Sequence, residues 1–351
     1  MTCNHDYSRI EKLRNQLDEG EGYLITSREN VRYLNGFGGE GILIISTSEA
    51  LFITDFRYML DAKKLCSGFE VFDIRAGIAA LIPKNLRKLY IEKSMPFGMY
   101  SDYCKKFSSI SFEADNGILD TLRKVKTLAE ISAIQTAAEI GCRAYENVLN
   151  YIRPGVSEKT VAAELEYLMR KYGGEGTSFS TIIASGENSA MPHAMPQDKP
   201  IQHGDFVTID FGCVYDSYCS DMTRTVVIGE ASERHIEVYD TVLEAQLKSL
   251  NEVRAGVSCR DTDALAREII TEAGYGDCFG HSLGHGVGLL IHEEPRLSST
   301  CADILAKDMV VTVEPGIYIE GFGGVRIEDL VVVTDSLPNI LTKTKKDLLI
   351  L

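Results

Sequence analysis

The first third of the chain alternates short apolar runs with polar turns. Residues 41–46 (GILIIS) and 50–54 (ALFIT) are two such runs, separated by three polar residues. Apolar runs of this length between turn residues are typical of strands. Residues 58–66 have helical periodicity, and 88–92 (KLYIE) form a further strand candidate. The pattern predicts a small N-terminal α/β domain over residues 1–122.

A long amphipathic helix is predicted directly after this domain. Thr127 and Glu130 form the pattern T-x-x-E, in which the hydroxyl accepts from a free backbone N–H and the carboxylate reaches back. Apolar residues follow at helical spacing as far as Ile152, and Pro154-Gly155 is expected to end the helix. We expect this helix to open a second domain, residues 123–351.

The second domain contains an internal repeat. Arg153-Pro-Gly-Val-Ser157 recurs as Arg254-Ala-Gly-Val-Ser258. Each copy precedes a predicted helix, the two covering residues 158–172 and 261–273. Further on, DFVTIDFG (205–212) parallels DMVVTVEPG (308–316), so that an apolar strand runs into a carboxylate in both halves. Several repeated pieces in the same order predict a pseudo-two-fold domain.

Each half of the repeat contributes two carboxylates to the predicted hairpins, and these are Asp210, Asp221, Glu314 and Glu328. Pseudo-symmetry brings corresponding parts together, so we expect the four to converge. Buried anions at this density cost several kcal/mol each unless they are neutralised, and two divalent cations would do so. His285, in the segment GHGVG, is available as a fifth ligand. Carboxylates with one imidazole favour Mn²⁺, Co²⁺, Fe²⁺ or Zn²⁺, and such a pair of ions activates water and polarises a carbonyl.

Composition narrows the expected partners and location. The 351 residues carry a net charge of −15, which disfavours nucleic acid and anionic membrane surfaces because both are bound through clustered Lys and Arg. No apolar run has the length of a membrane span, and the N-terminus lacks the apolar core of a signal peptide. Nine cysteines are scattered without CxxC pairs, which predicts reduced thiols that pack rather than react. We expect an acidic cytoplasmic protein with no nucleic-acid or membrane partner.

Three further features carry weaker signals. Gly36-Phe-Gly-Gly-Glu-Gly41 fits GxGxxG, but the apolar segment after it predicts a strand, whereas a dinucleotide fingerprint opens a helix. His281 lies four residues before His285, but HSLGH lacks the Glu of the zinc motif HExxH, so His281 is assigned a supporting or structural position. Arg326 precedes Glu328 by two residues and would share its face of a strand, where it could orient a ligand carboxylate.

The chain resembles the Xaa-Pro aminopeptidase and prolidase family in five segments that occur in order. They are IIASGENSAMPHA (182–194), GDFVTIDFGCVYDSYCSDMTRT (204–225), GHSLGHGVGLLIHEEP (280–295), VTVEPGIY (311–318) and GVRIED (324–329). Residues 30–58 are similar to the creatinase-type N-terminal domain of that family. The resemblance implies an α/β (α+β) architecture, in which this small domain is followed by a catalytic domain with the pseudo-two-fold pita-bread fold.

The resemblance also implies a role for each ligand. Asp210 would bind one metal ion, while His285 and Glu314 would bind the other. Asp221 and Glu328 would bridge both ions. Two divalent ions per chain are expected, with Mn²⁺ first, and the family likeness implies a homodimer.

Two further histidines are implied to line the substrate site. Of His193 and His292, one would contact the scissile region and the other would steady the tetrahedral intermediate, while Glu314 would move a proton to the leaving nitrogen. Because His292 lies in an apolar segment (LLIHE), a buried structural histidine is the alternative. His193 lies in a loop that no apolar pattern explains.

The implied activity is metal-dependent hydrolysis of the Xaa-Pro bond at the N-terminus of a peptide with proline in second position. An Xaa-Pro aminopeptidase is the main hypothesis, and a prolidase restricted to dipeptides is the alternative. Methionine aminopeptidases resemble the metal motifs but usually lack a domain like residues 1–120. Creatinases resemble both domains but have no metal ligands. A catalytically silent peptide-binding module would have lost ligands, whereas this chain keeps all five.

Overall fold

Helices and strands alternate through the first of two units in the computed structural model, which describes residues 8–351. The units are Met1–Arg123 and Lys124–Leu351. The first helices are α1 (Ser8–Arg14), α2 (Arg28–Asn35), α3 (Met59–Leu65), α4 (Ile78–Leu81), α5 (Phe97–Lys106) and α6 (Ile118–Lys124). The first strands are β1 (Glu21–Ile25), β2 (Ile42–Ser46), β3 (Ala50–Thr54), β4 (Glu70–Asp73), β5 (Lys88–Ile91) and β6 (Ser111–Ala114).

These six strands form one mixed sheet in the order β4-β3-β2-β1-β5-β6. The predicted strands over 41–46 and 50–54 are confirmed as the antiparallel pair β2 and β3. Their apolar side chains are buried in the core, except that of Ile42, which is partly buried. The predicted helix over 58–66 corresponds to α3, and KLYIE forms β5. Gly36 ends α2 with φ 69° and the next element is the strand β2, so no helix follows the GxGxxG pattern.

The second unit contains four longer helices and fourteen short strands. The helices are α7 (Leu128–Val148), α8 (Glu158–Lys171), α9 (Glu233–Glu252) and α10 (Cys259–Glu272). The strands are β7 (Gly176–Thr177), β8 (Ile182–Ser185), β9 (Phe206–Phe211), β10 (Cys213–Tyr215), β11 (Tyr218–Cys219), β12 (Met222–Val227), β13 (Gly284–Gly286), β14 (Glu293–Leu297), β15 (Val310–Val313), β16 (Gly316–Ile319), β17 (Gly323–Arg326), β18 (Asp329–Val332), β19 (Asn339–Ile340) and β20 (Leu349–Ile350). Within residues 8–351, no helix has both the length and the apolarity needed to cross a membrane.

The predicted start of α7 is confirmed, but its predicted end is wrong. Glu130 N donates to Thr127 Oγ1 at 3.3 Å, and Thr127 N donates to Glu130 Oε2 at 2.8 Å, which is the reciprocal capping box. The α-helix ends at Val148 rather than at Ile152. Leu149–Tyr151 form a tighter 3-10 turn, in which Ile152 N donates to Leu149 O, because the last turn closes by bonds three residues apart.

Serine caps begin the second helix in each half of the repeat. Ser157 Oγ accepts from Thr160 N at 3.2 Å and Ser258 Oγ accepts from Asp261 N at 3.4 Å. Because the side chain of Ser258 caps the backbone directly, α10 begins at Cys259, two residues before the start predicted from the apolar spacing.

The pseudo-two-fold organisation is visible in matching hydrogen bonds and sheets. Gly155 N donates to Ile201 O at 2.9 Å, and Gly256 N donates to Leu305 O at 2.8 Å. One half forms the sheet β20-β12-β9-β8 and the other forms β14-β13-β15-β18-β19. The hairpin of β9 and β12 corresponds to that of β15 and β18, so equivalent carboxylates are carried by equivalent strands.

Candidate metal centre and substrate cavity

Three buried carboxylates form a cluster in the second unit. Asp210 lies on β9, Asp221 lies just before β12, and Glu328 lies between β17 and β18. One carboxylate oxygen from each residue lies within 4.8 Å of those of the others, and all three side chains are buried. The antiparallel pairing of β9 with β12 and the bond from Glu328 N to Thr223 O hold these segments together.

His285 and Glu314 lie beside this cluster. His285 Nε2 is 3.3 Å from Glu314 Oε1 and 3.6 Å from Asp221 Oδ2. The Nδ1 atom of His285 lies 3.1 Å from the next backbone carbonyl, so Nε2 is the nitrogen that faces the carboxylates. Gly284 is required on this strand because a Cβ there would lie 2.1 Å from Thr312 O. The structure therefore brings all five residues singled out as ligands to one place.

Burial dominates the electrostatics of the cluster. It raises the pKa of Asp221 and of Glu328 well above the ordinary values, and the neighbouring carboxylates raise both further. Burial also raises the pKa of Asp210, although Arg326 opposes the effect. For Glu314, burial is outweighed by the hydrogen bond and charge of His285, and the pKa falls below its ordinary value. The negative charge of such a cluster has to be balanced by bound protons or by cations.

The donor set fits divalent cations. Glu328 Oε2 accepts from Thr223 Oγ1 at 2.6 Å, but Glu328 Oε1 is buried and has no hydrogen-bond partner within residues 8–351. A buried acceptor without a donor costs about 1–3 kcal/mol. Carboxylate oxygens with one imidazole nitrogen are ligands that borderline divalent ions accept. A bound cation would therefore satisfy the Oε1 atom of Glu328, which no donor within residues 8–351 reaches.

Arg326 is the cation that the protein itself supplies at this site. Its Nη2 donates to Asp210 Oδ2, its Nε donates to Thr223 Oγ1 at 3.1 Å, and its Nη1 donates to Tyr318 OH at 2.6 Å. The prediction that Arg326 shares a strand face with Glu328 is wrong, because β17 ends at Arg326 and the chain then enters a different sheet. The guanidinium reaches the carboxylate of Asp210 instead.

His281 and Tyr318 extend the network behind Arg326. Burial raises the pKa of Tyr318 to about 12 and lowers that of His281, so the phenol is protonated and the imidazole is neutral at pH 7. Tyr318 OH lies 2.9 Å from His281 Nε2, and His281 Nδ1 lies 2.8 Å from Ser282 O. The phenol thus accepts from Arg326 and donates to His281. Tyr318 was not among the site residues predicted from the sequence, although it ends the segment VTVEPGIY, which also contains Glu314.

A cavity of about 420 Å³ opens onto the carboxylates. Both histidines singled out from the sequence, His193 and His292, line it. His292 is exposed, which excludes the buried structural alternative, and its ring centroid lies 4.5 Å from that of His285. Further walls that could not be identified from the sequence are Phe179, Ile182, Met195, Ile291 and Arg296. Phe179, Met195 and Ile291 lie in loops, whereas Ile182 and Arg296 lie on β8 and β14, and no pattern in the sequence indicates that the five meet at one cavity.

We expect His292 of the metal-free protein to remain neutral down to mildly acidic pH. Partial burial, together with His285 and Arg296, lowers its pKa from 6.5 to about 4. Between about pH 6.5 and about pH 4, the folded state therefore binds fewer protons than the unfolded chain. The free energy of unfolding decreases as the pH falls through this range. In an NMR titration, the His292 ring signal should stay constant between about pH 8 and about pH 5. A midpoint near the ordinary value would contradict the expectation.

Comparison with known proteins gives two family matches that together cover most of the chain. Residues 132–335 match Metallopeptidase family M24, and residues 9–125 match the Creatinase/Prolidase N-terminal domain. The chain is 41% identical over 349 residues to the Xaa-Pro dipeptidase of Pyrococcus furiosus, across 97% of this chain and 99% of that protein.

Solved structures are similar over the same extent. An Xaa-Pro dipeptidase from Bacillus anthracis superimposes with a TM-score of 0.94 at 45% identity, covering 98% of this chain and 99% of that chain. An X-Pro aminopeptidase from Thermotoga maritima gives a TM-score of 0.90 at 38% identity, covering 98% of this chain and 100% of the other. The predicted fold, a creatinase-type N-terminal domain followed by a pita-bread domain, is confirmed.

Proposed function

Because this chain belongs to metallopeptidase family M24, we propose that it is an Xaa-Pro dipeptidase. Members of the family are hydrolases that act on peptides with the help of divalent metal ions. The proposed substrate is a dipeptide with a free amino terminus, proline in second position and the free carboxylate of that proline. The dipeptidases among its relatives and the charge within the cavity support this choice.

The observation that carries the proposal is an unpaired cation in the cavity. The side chain of Arg296 lines the cavity and has no ion pair or hydrogen bond within residues 8–351, whereas the guanidinium of Arg326 pairs with Asp210. A guanidinium binds a carboxylate in a bidentate, charge-assisted way. A dipeptide places its carboxylate one residue beyond the scissile bond, while a longer peptide has a neutral amide there. An unpaired Arg296 therefore favours dipeptides.

Xaa-Pro aminopeptidase activity, the main hypothesis from the sequence, is now the second candidate. The similar structure of the Thermotoga maritima aminopeptidase keeps it open, but the dipeptidase alternative is better supported by the relatives. The two activities separate in one assay of the protein reloaded with Mn²⁺, using Ala-Pro and Ala-Pro-Ala, with Met-Ala-Ala as the control substrate. Cleavage of Ala-Pro alone supports the proposal, and release of Ala from both proline peptides supports the aminopeptidase.

The proposed division of work follows from the geometry. Asp210, Asp221, His285, Glu314 and Glu328 would hold two divalent ions, which we propose are Mn²⁺. When bound, such ions supply a water-derived nucleophile and polarise the scissile carbonyl.

The remaining steps belong to the protein. Arg326 fixes the carboxylate of Asp210 through its donated hydrogen bond. His193 and His292 line the cavity where the scissile carbonyl would lie, and a neutral imidazole N–H can donate to a developing oxyanion. Glu314 would carry the proton to the prolyl nitrogen.

We also propose a homodimer, which light scattering would detect as twice the chain mass of 38.8 kDa. The cytoplasmic location expected from the sequence stays a prediction.

Replacing Arg296 with glutamine should weaken binding of Ala-Pro selectively. Hydrogen bonds to charged groups contribute about 1.5–3 kcal/mol, so we expect KM to rise about tenfold to a hundredfold. The prolinamide analogue, Ala-Pro-NH2, lacks the carboxylate and should be cleaved equally by the wild type and the variant. Steady-state kinetics with both substrates measure the difference.

Arg153→Gln is the matched control, since Arg153 is exposed and lies outside the cavity. It should leave both substrates unaffected. If Arg296→Gln changed KM for Ala-Pro and for its amide to the same extent, Arg296 would not be reading the carboxylate, and the preference for dipeptides would need another explanation.

A further inference from the structure

The loop between β8 and β9 carries two groups that face the metal centre. We define residues 185–197 as the His193 loop. His193 lines the cavity, and Pro192 O accepts from Arg326 Nη1 at 3.4 Å, the same guanidinium that donates to Asp210. The path of this loop therefore determines where His193 stands relative to the carboxylates.

Both ends of the His193 loop attach to one buried carboxylate. Glu158 is the first residue of α8, and its side chain is 0% exposed. Its Oε1 accepts from Ser185 N at 2.6 Å and from Ser185 Oγ at 2.8 Å. Its Oε2 accepts from Asn188 Nδ2 and from Gln197 N, both at 2.9 Å. Four donors from the first and last parts of the loop thus converge on a single side chain.

No cation pairs directly with this carboxylate within residues 8–351. Lys199 lies nearby, but its Nζ donates to Ser185 O and Ser185 Oγ rather than to Glu158. A buried charge is costly, and this one is tolerated because hydrogen bonds satisfy both oxygens. An apolar residue would avoid that cost, but it would leave these four donors without their acceptor. The buried carboxylate of Glu158 is therefore best explained by the hydrogen bonds through which it holds the loop.

The middle of the loop has separate anchors. Gly324 N donates to Ser189 Oγ at 2.8 Å, and a Cβ on Gly324 would lie 2.3 Å from Ser189 O. Ala194 is buried against Ile182 and Ala184. His193 itself is exposed between these contacts. Ser185 also pairs with Val207 in the sheet and Gln197 O accepts from Lys159 N at 3.2 Å, but Glu158 is the side chain that joins the two ends of the loop to each other.

We propose that Glu158 is a positioning residue, whose buried carboxylate closes the His193 loop and holds His193 at the substrate cavity. This inference rests on the proposed function, because it assigns to Glu158 an effect on peptide hydrolysis that passes through His193. Glu158 touches neither the cavity nor the ligand cluster, so it acts only through the loop.

Glu158→Gln tests the proposal, since glutamine keeps the size but turns one acceptor into a donor that opposes its present donors. We expect kcat/KM for Ala-Pro to fall roughly tenfold to a hundredfold, the scale of loss that a small misplacement of a positioned group produces. Bound metal, measured by atomic emission, should stay unchanged because no ligand lies on the loop. Glu187→Gln is the matched control, as Glu187 is an exposed carboxylate on the same loop.

A double-mutant cycle with His193→Ala distinguishes positioning from general destabilisation. If Glu158 acts through His193, Glu158→Gln should cause little further loss in the His193→Ala background, since the two effects are then not additive. Asn188→Ala, which removes a single donor, should give a smaller loss of the same kind and remains informative should Glu158→Gln fold poorly. Fully additive losses, or activity equal to that of Glu187→Gln, would overturn the proposal.

Amide hydrogen exchange separates this inference from the proposed function. Glu158→Gln should speed exchange within the His193 loop while β9 and β12 keep their protection, whether or not the protein cleaves Ala-Pro. An inactive wild type with a loosened loop in the variant would refute the dipeptidase proposal and leave the loop closure standing. If the enzyme were active and exchange within the His193 loop were unchanged in Glu158→Gln, the role of Glu158 would be refuted and the dipeptidase proposal would stand.

Discussion

Replacing Asp221 with asparagine should lower kcat/KM for Ala-Pro by a factor of about 10³ or more. Asp221 is buried close to Asp210, Glu328 and His285, and it is one of the residues that we propose hold the metal ions. Stabilisation of transition-state charge by a bound metal amounts to several kcal/mol, and each 1.36 kcal/mol changes the rate about tenfold. Steady-state kinetics with metal-saturated protein measure the loss, and metal analysis should find less than the wild-type content.

Asp240→Asn is the control for this variant, because Asp240 is an exposed carboxylate on α9. It should retain wild-type activity and metal content. If Asp221→Asn kept activity within a factor of a few while still binding metal, Asp221 would not be a ligand, and the assignment of the centre would fail.

The same substitution should have the opposite effect on the stability of the metal-free protein. Burial, Glu328 and Asp210 raise the pKa of Asp221 well above its ordinary value, so the folded state penalises its charge at neutral pH. That penalty is relieved as the pH falls through the raised pKa, since the folded state then takes up a proton. Asparagine removes the charge at every pH. After chelation at pH 7, Asp221→Asn should melt no lower than the wild type, and a clearly lower Tm would contradict this account.

Sequence was sufficient for the features that repeat or that depend on neighbours along the chain. The capping box at Thr127 and Glu130 is a local pattern, and it forms as expected. The ligand set was accessible because corresponding strands of the repeat carry corresponding carboxylates, so pseudo-symmetry implied their meeting. The family resemblance implied a role for individual side chains. The structure shows where those side chains lie.

Features that join distant segments could not be predicted in the same way. Tyr318 belongs to the site because its hydroxyl meets Arg326 across a two-stranded sheet. Tyr215, which follows Asp210 in the other half much as Tyr318 follows Glu314, is exposed instead. The chain from Gly323 to Val332 looks like one apolar strand in the sequence, but it is interrupted at residues 327–328 and its two parts belong to different sheets. Glu158 lies at a helix start, where an acidic residue is ordinary, and only the folded loop makes it unusual.

The second large effect is expected on the stability of the protein when Arg326 is replaced. Replacing it with methionine in the metal-free protein should lower the free energy of unfolding by about 3–5 kcal/mol, the cost of leaving a buried charge without its partner. Asp210 would lose its donor, and so would Tyr318 and Thr223. Urea unfolding after chelation measures the loss.

Two further variants identify the cause of that loss. Arg326→Lys keeps the positive charge but not the three-sided set of donors, so its stability should lie between those of the wild type and Arg326→Met. Adding Asp210→Asn to Arg326→Met should recover part of the loss, because the uncompensated carboxylate is then gone. Saturating Mn²⁺ should also reduce the difference, since a bound cation would replace the missing charge near Asp210. Equal losses in all conditions would mean that Arg326 stabilises the fold by packing alone, and that the charge of Asp210 is balanced elsewhere.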